Sequence, residues 1–238
     1  DDTWASTSTG SYCPSARYGH TSVWTGTEMI VWGGRVSNSS PYYTDTGGRY
    51  NPASNSWTAT NIVDAPFLRY CHTAVWTGTR MIIWGGLGSE YHYTGAMYDP
   101  VGNTWQFMST GNVPSGRAYH CAVWTGEEMI VWGGRTATAS YSDGHKFYPD
   151  TNTWSPISTT NTPSSRSWAS VVWTGSEMIV WGGWGSDYFN SGGRYNPDTD
   201  SWTATSMMNC PESRHYHSSV WTGSEMIVWG GRKCLLGG

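Results

Sequence analysis

One eleven-residue segment recurs five times almost unchanged, and this repetition constrains the fold more than any other property of the chain. It reads WTGTEMIVWGG from Trp24, WTGTRMIIWGG from Trp76, WTGEEMIVWGG from Trp124, and WTGSEMIVWGG from Trp173 and Trp221. The first tryptophans are 52, 48, 49 and 48 residues apart. A period near 49 is too long for the common helical or leucine-rich solenoids and falls in the range of propeller blades. The segment alternates apolar and polar residues with a period of two and is rich in β-branched side chains, so a helix is excluded.

Each unit reads as four short strands. Strand A is the run His20 to Trp24, a Thr-Gly turn follows, and strand B is Met29 to Trp32, ending at Gly33-Gly34. A loop of variable length leads to strand C around Gly48-Arg49-Tyr50, an Asn51-Pro52 turn leads to strand D at Trp57, and a connector with Pro66 and Arg69 opens the next strand A.

Composition follows from the repeat. The 238 residues include 17 Trp, 15 Tyr, 30 Gly and only 4 Phe, with 13% charged residues. Fifteen of the 17 tryptophans fall on three repeat positions, in strands A (24, 76, 124, 173, 221), B (32, 84, 132, 181, 229) and D (4, 57, 105, 154, 202), and are expected to pack blade against blade. A fully buried Trp contributes at most roughly 4–6 kcal/mol. The remaining two, Trp168 and Trp184, belong to the fourth copy. That copy also has Ala169 where the others have His20, His72, His120 and His217.

The pattern resembles the kelch repeat, in its bacterial-type extracellular form. The marks are the double glycine ending strand B, Tyr50 on strand C, Trp57 on strand D and the Arg17 to His20 entry into strand A, with equivalents in later copies. The resemblance covers nearly the whole chain. It implies an all-β fold, a β-propeller of four-stranded blades over residues 1–238, with five blades and an N-terminal strand at Trp4 closing the last one. Only seven residues, Arg232 to Gly238, follow the last double glycine, so either the fifth blade lacks a regular strand C or the chain belongs to a longer array of six or more blades.

The formal charge of −4 and the presence of only two lysines, Lys146 and Lys233, argue against nucleic acid or an anionic membrane as partner. No apolar run is long enough to span a membrane as a helix. Low lysine with abundant Ser, Thr, Gly and Trp points to an extracellular, periplasmic or cell-surface location. The first residues do not resemble a signal peptide, and the lack of an initiating Met suggests a trimmed N-terminus.

Candidate binding residues fall in two groups. Arg17, Arg69, Arg117, Arg166 and Arg214 open strand A in all five copies. They are expected at one mouth of the propeller, as an anion site or as ties for the connector. The loops after strand B are rich in Tyr, Ser, Gly and Asn. There Tyr43, Tyr91 and Tyr188, with Trp168 and Trp184, supply rigid contact area for a protein or glycan.

No catalytic motif appears, and no cofactor or metal is expected. The histidines are read as hydrogen-bonding within blades. The glutamates at the A–B turns (Glu28, Glu128, Glu177, Glu225) are read as solvated. Copper radical oxidases also carry kelch propellers, which leaves Cys71 and Tyr119 as a remote enzyme alternative. Cys234 is a disulfide candidate with Cys13 or Cys210. The chain is thus expected to be a non-catalytic recognition or assembly module, with an enzyme domain or a self-assembling structural repeat as alternatives.

Overall fold

The computed structural model describes residues 2–40 and 42–233. The chain divides into two compact units, Asp1–Met108 and Ser109–Gly238. No helix occurs among the described residues.

The first unit holds two antiparallel sheets with strands in chain order. One is β1 (Thr21–Trp24), β2 (Met29–Trp32), β3 (Gly47–Asn51) and β4 (Ser56–Ala59); the other is β5 (Thr73–Trp76), β6 (Met81–Trp84), β7 (Gly95–Asp99) and β8 (Thr104–Phe107). The second unit repeats the pattern in β9 (Cys121–Trp124) to β12 (Thr153–Pro156), through β10 (Met129–Trp132) and β11 (Gly144–Tyr148). It repeats it again in β13 (Ser170–Trp173), β14 (Met178–Trp181), β15 (Gly192–Asn196) and β16 (Ser201–Ala204). A fifth copy contributes the hairpin of β18 (Ser218–Trp221) and β19 (Met226–Trp229), flanked by a two-residue pairing of β17 (Arg214–His215) with β20 (Arg232–Lys233). These are the expected all-β blades, about five in number.

Local chemistry explains the repeat spelling. At the A–B turn Thr25 N–H donates to the Glu28 carbonyl at 2.9 Å, and the Thr25 hydroxyl accepts from Glu28 N–H at 2.9 Å. Between strands C and D the turn needs a left-handed residue, and Asn55, Asn103, Asn152 and Asp200 supply it with φ of 46–52°. Asn and Asp tolerate that region best among non-glycines. The side chain is used twice. Asn103 Oδ1 accepts from Tyr98 Oη at 2.6 Å and from the amide of Asn61 in the preceding connector at 2.8 Å, and Asp200 does the same with Tyr195 and Ser158.

Cores lie between consecutive sheets within each unit. Ile30 and Trp32 of β2 pack on Met81, Ile83, Ala96, Tyr98 and Trp105 of the next blade, and Trp132 packs on Tyr195 and Trp202 in the same way. The Trp32–Trp105 and Trp132–Trp202 rings stand 5.4 and 5.5 Å apart. The strand-D indoles also donate to the preceding connector: Trp105 Nε1 to the Asn61 carbonyl at 2.8 Å and Trp202 Nε1 to that of Ser158 at 3.0 Å. Tryptophan on strands B and D is thus the joint between blades.

Two expectations need correcting. Residues 2–9 carry no strand, and Trp4 is fully exposed, so the N-terminal strand expected to close the last blade is not formed. A Trp-centred sequence pattern becomes a strand only where a neighbouring edge supplies ladder hydrogen bonds. Trp24 and Trp229 are also exposed, because they belong to the first sheet of one unit and the last of the other and have no flanking sheet within their unit on that side. The turn glutamates are not simply solvated either. Glu28 lies 3.8 Å from Arg49, Glu128 3.8 Å from Lys146 and Glu177 3.7 Å from Arg194. Arg49 and Lys146 also donate to the Pro100 and Pro197 carbonyls of the following blade.

Candidate functional site

The entry arginines resolve first, because geometry separates the two roles open to them. Arg69, Arg117 and Arg166 are fully buried. Arg69 donates through Nε to the Phe67 carbonyl at 2.8 Å and through Nη1 to the carbonyls of Gly85 and Thr94 at 2.9 and 2.7 Å. Arg166 repeats this with Ser164, Gly182 and Ser191. Arg117 bonds Ser115 and Gly133 and adds a two-pronged ion pair with Asp143 at 2.8 and 3.0 Å. Burial works to raise the Asp143 carboxyl, but the Arg117 hydrogen bonds prevail and hold it below the usual range. Arg17 and Arg214, only partly buried, make the same Nε bond, to Ser15 and Glu212, and the same Nη1 bond, to Gly33 and Gly230. Burial lowers the Arg69 guanidinium to about 9 and that of Arg166 to about 10, so both stay charged at neutral pH. These side chains tie the double-glycine loop to the connector, and their donors are spent within the protein, on backbone carbonyls, nearby hydroxyls and, for Arg117, the Asp143 carboxylate.

The next residues along the chain make the rim of each blade. The position just before the strand-A histidine is left-handed in all five copies: Gly19, Cys71, Tyr119, Trp168 and Tyr216, with φ of 55–64°. Within each unit the rims are linked, Cys71 N–H donating to the Gly19 carbonyl at 2.7 Å and Trp168 N–H to that of Tyr119 at 3.1 Å. A bulky side chain at positive φ is an outlier that costs on the order of 1–2 kcal/mol.

In the second unit these strained positions gather aromatic rings. Trp168 lies 4.6 Å from Tyr119, 5.3 Å from Tyr216, 5.8 Å from Trp184 and 6.1 Å from His215, by ring centroids. Tyr188 lies 4.9 Å from His215. The Arg135 guanidinium carbon stands 4.7 Å from the Trp184 ring and 5.4 Å from that of Trp168. Tyr216 is 57% exposed, while Trp168, Trp184, Tyr188 and Arg135 are half-buried. Burial, reinforced by Arg232, holds His215 below its ordinary range, so its imidazole is neutral at pH 7.

The sequence-derived candidates therefore divide. Trp168, Trp184 and Tyr188 come together in one cluster. Tyr43, in the first unit, stacks on Tyr70 at 4.8 Å and belongs to a separate group in which Arg35 lies 5.8 and 5.6 Å from the rings of Tyr18 and Tyr42. Tyr91 bridges back to Leu87 in its own loop. Sequence reasoning missed Tyr216, Arg35 and Arg135, and named Tyr119 only for the remote enzyme alternative. Their signals were present: arginine follows the double glycine in three copies, at 35, 135 and 232, and the rim position is aromatic in three consecutive copies.

Loss of the histidine in the fourth blade has its own explanation. His72 Nε2 bonds the Thr21 hydroxyl of the preceding blade at 2.8 Å, and His217 Nε2 bonds that of Ser170 at 2.7 Å. Where Ala169 replaces histidine, the facing residue is Cys121, whose Sγ lies 3.5 Å from the Ala169 carbonyl. Hydroxyl and imidazole are lost as a pair, and Cys121 is an apolar filler whose thiol burial pushes up to about 12. Trp168 does not fill the vacated space; it packs on the rim.

Cys13, Cys121 and Cys210 form no disulfide among the described residues, and the disulfide candidates with Cys13 or Cys210 depend on Cys234, which lies outside the described residues. No helix among the described residues is long and apolar enough to cross a membrane.

The family model of the KLHDC2/KLHL20/DRC7 kelch-repeats domain matches residues 19–231. The match shows the kelch family and does not support the bacterial extracellular type expected from the repeats. No curated protein sequence matches the chain.

Proposed function

This chain belongs to the kelch-repeat family, whose propellers typically serve as protein-binding modules, and from that premise we propose that it is a non-catalytic recognition module that takes its ligand on the Trp168 rim. The observation that carries this reading is the meeting of Tyr119, Trp168 and Tyr216, on three consecutive blades, at backbone positions that disfavour large side chains. Strained, clustered, partly exposed aromatics are characteristic of binding surfaces, where Trp and Tyr dominate the energetics. The loops beside them supply Ser, Thr and Asn hydroxyl and amide groups for adaptable hydrogen bonds. A protein partner follows the habit of the family; a sugar is the second reading, favoured by ring faces set at 44–56° to one another. The low lysine content supports an extracellular or surface location.

The test is a binding screen of the purified chain against protein libraries and glycan arrays, repeated with Trp168→Gly and Tyr216→Ala. Glycine is the residue that the first copy uses at the same φ. Each substitution is expected to weaken binding by about 30-fold, the roughly 2 kcal/mol of a hot-spot residue, while Val101→Ala, on an exposed turn of the first unit, leaves it unchanged. Full binding by both rim variants, folded by circular dichroism, refutes the proposal.

A further inference from the structure

Arg135 is placed unlike any entry arginine. Only its Nε is engaged, donating to the Thr136 carbonyl at 3.0 Å, and among the described residues its terminal nitrogens have neither a hydrogen-bond acceptor nor an ion-pair partner. Arg117, by contrast, spends its terminal nitrogens on Asp143. The Arg135 guanidinium packs beside two indoles, 4.7 and 5.4 Å from their centroids, so less side-chain entropy remains to be lost when a ligand binds. Neither acid of the neighbouring loops makes an ion pair with Arg135: Asp143 is paired with Arg117, and Asp187 Oδ1 accepts from the Tyr188 amide at 2.7 Å.

We propose that this site binds a sugar ring bearing a carboxylate or sulfate, with the acid on the terminal nitrogens of Arg135 and the ring against Trp168 and Tyr216. The inference rests on the reading of the Trp168 rim as the binding surface. Its chemistry follows from three features. A guanidinium pre-held and unpaired offers the forked donor geometry that matches a planar acid. A cation already beside these indoles also disfavours a second one, which selects against basic ligands. Finally, the backbone here is already paired on both sides, Arg135 with Ala118 and Ser140, and Trp184 with Ser167 and Tyr188. An extended peptide therefore cannot pair with the backbone of Arg135 or Trp184, whereas a pyranose needs only ring faces, hydroxyls and the acid contact.

The experiment is titration calorimetry with trigalacturonate and a sulfated trisaccharide as probes. The controls are the methyl-esterified or unsulfated sugars and a glutamate peptide of equal charge, tested at 50 and 300 mM salt. Wild-type chain is expected to bind the acidic sugars at least tenfold more tightly than the neutral ones, and more weakly at high salt. Arg135→Gln should lose at least tenfold, and Arg135→Lys should lose less. Equal binding of neutral and acidic sugars, or full binding by Arg135→Gln while Trp168→Gly abolishes it, overturns the acid contact and leaves the rim as binding surface. Binding of the peptide in preference to either sugar overturns the ligand class with the same consequence. Failure of every probe to bind overturns this inference, while loss of a screened partner by Trp168→Gly would still uphold the rim.

Discussion

Replacing Arg166 by methionine keeps the length of the stem and removes every donor, which makes it the sharpest test of the entry arginines as internal ties. The side chain is 2% exposed and lies 4.1 Å from the Phe189 ring. Its Nε bonds the Ser164 carbonyl at 2.9 Å, and its Nη1 bonds those of Gly182 at 3.1 Å and Ser191 at 2.7 Å. The Ser191 carbonyl also receives the Gly182 amide and keeps one partner after the substitution. The buried Gly182 carbonyl loses its side-chain donor, at about 1–3 kcal/mol for a buried acceptor left unmet, while water can reach the carbonyl of the exposed Ser164. The expected cost is about 1–3 kcal/mol, or roughly 2–12 °C in melting temperature for a chain of this size. Arg17→Met, at a partly exposed copy of the same site, should cost about half as much because water can reach the freed carbonyls. Thermal unfolding followed by circular dichroism, with ligand titration below the transition, separates the possibilities. A melting temperature within about 2 °C of wild type combined with lost binding would refute the internal role and return these arginines to the ligand.

Two further outcomes follow from the fold. Gly182 (φ 69°) has no room for a side chain, since an added Cβ would stand 2.6 Å from His217 Cε1 and 2.9 Å from the Arg214 carbonyl, whereas Gly175 (φ 102°) has nothing within 4 Å. Gly175→Ala should cost about 1–2 kcal/mol for backbone strain alone and Gly182→Ala clearly more; equal denaturant midpoints would contradict the close approach of neighbouring blades. Acid should also destabilise the protein before its carboxylates titrate. Burial, helped by Arg117, lowers His120 to about 3, so below its ordinary pKa the unfolded chain takes up a proton that the folded chain refuses. Stability is therefore full above about pH 6.5 and falls as pH drops toward 3, by at most about 1.4 kcal/mol per pH unit from this group. Urea midpoints at pH 7.5, 6 and 5 check the sign, and a slope unchanged in His120→Gln would remove His120 as its source.

Much of the fold was legible because blade packing demands the same side chain at the same register. Trp32 meets Trp105 as Trp132 meets Trp202, so the spacing of indoles reports the spacing of sheets. The role of the entry arginines was harder to read, since their partners are carbonyls, which carry no residue signature. A constant separation of 16 residues from Arg17 to Gly33, Arg69 to Gly85 and Arg166 to Gly182 was nevertheless in plain view. The Trp4 strand failed for the opposite reason: its residues match strand D, but pattern cannot supply the edge against which a strand forms. Arg135 was hidden by its place at the start of a variable loop, where only three-dimensional packing brings it beside both Trp168 and Trp184.

The rim shows how a costly backbone position can serve as a binding site without making the blade unstable. The first copy meets the left-handed geometry with Gly19, which pays no Cβ penalty, while Tyr119, Trp168 and Tyr216 accept about 1–2 kcal/mol of strain each. Ring contacts offset it, at about 0.5–1.5 kcal/mol for each favourable aromatic pair, and Trp168 has several such neighbours. Exchanging Trp168 for glycine removes both terms together, so the relief of strain offsets part of the lost ring contacts. The change in ligand affinity carries no such cancellation. Trp168→Gly thus recovers part of its folding cost but none of its binding energy, so that variant, shown folded by circular dichroism, is a test of recognition.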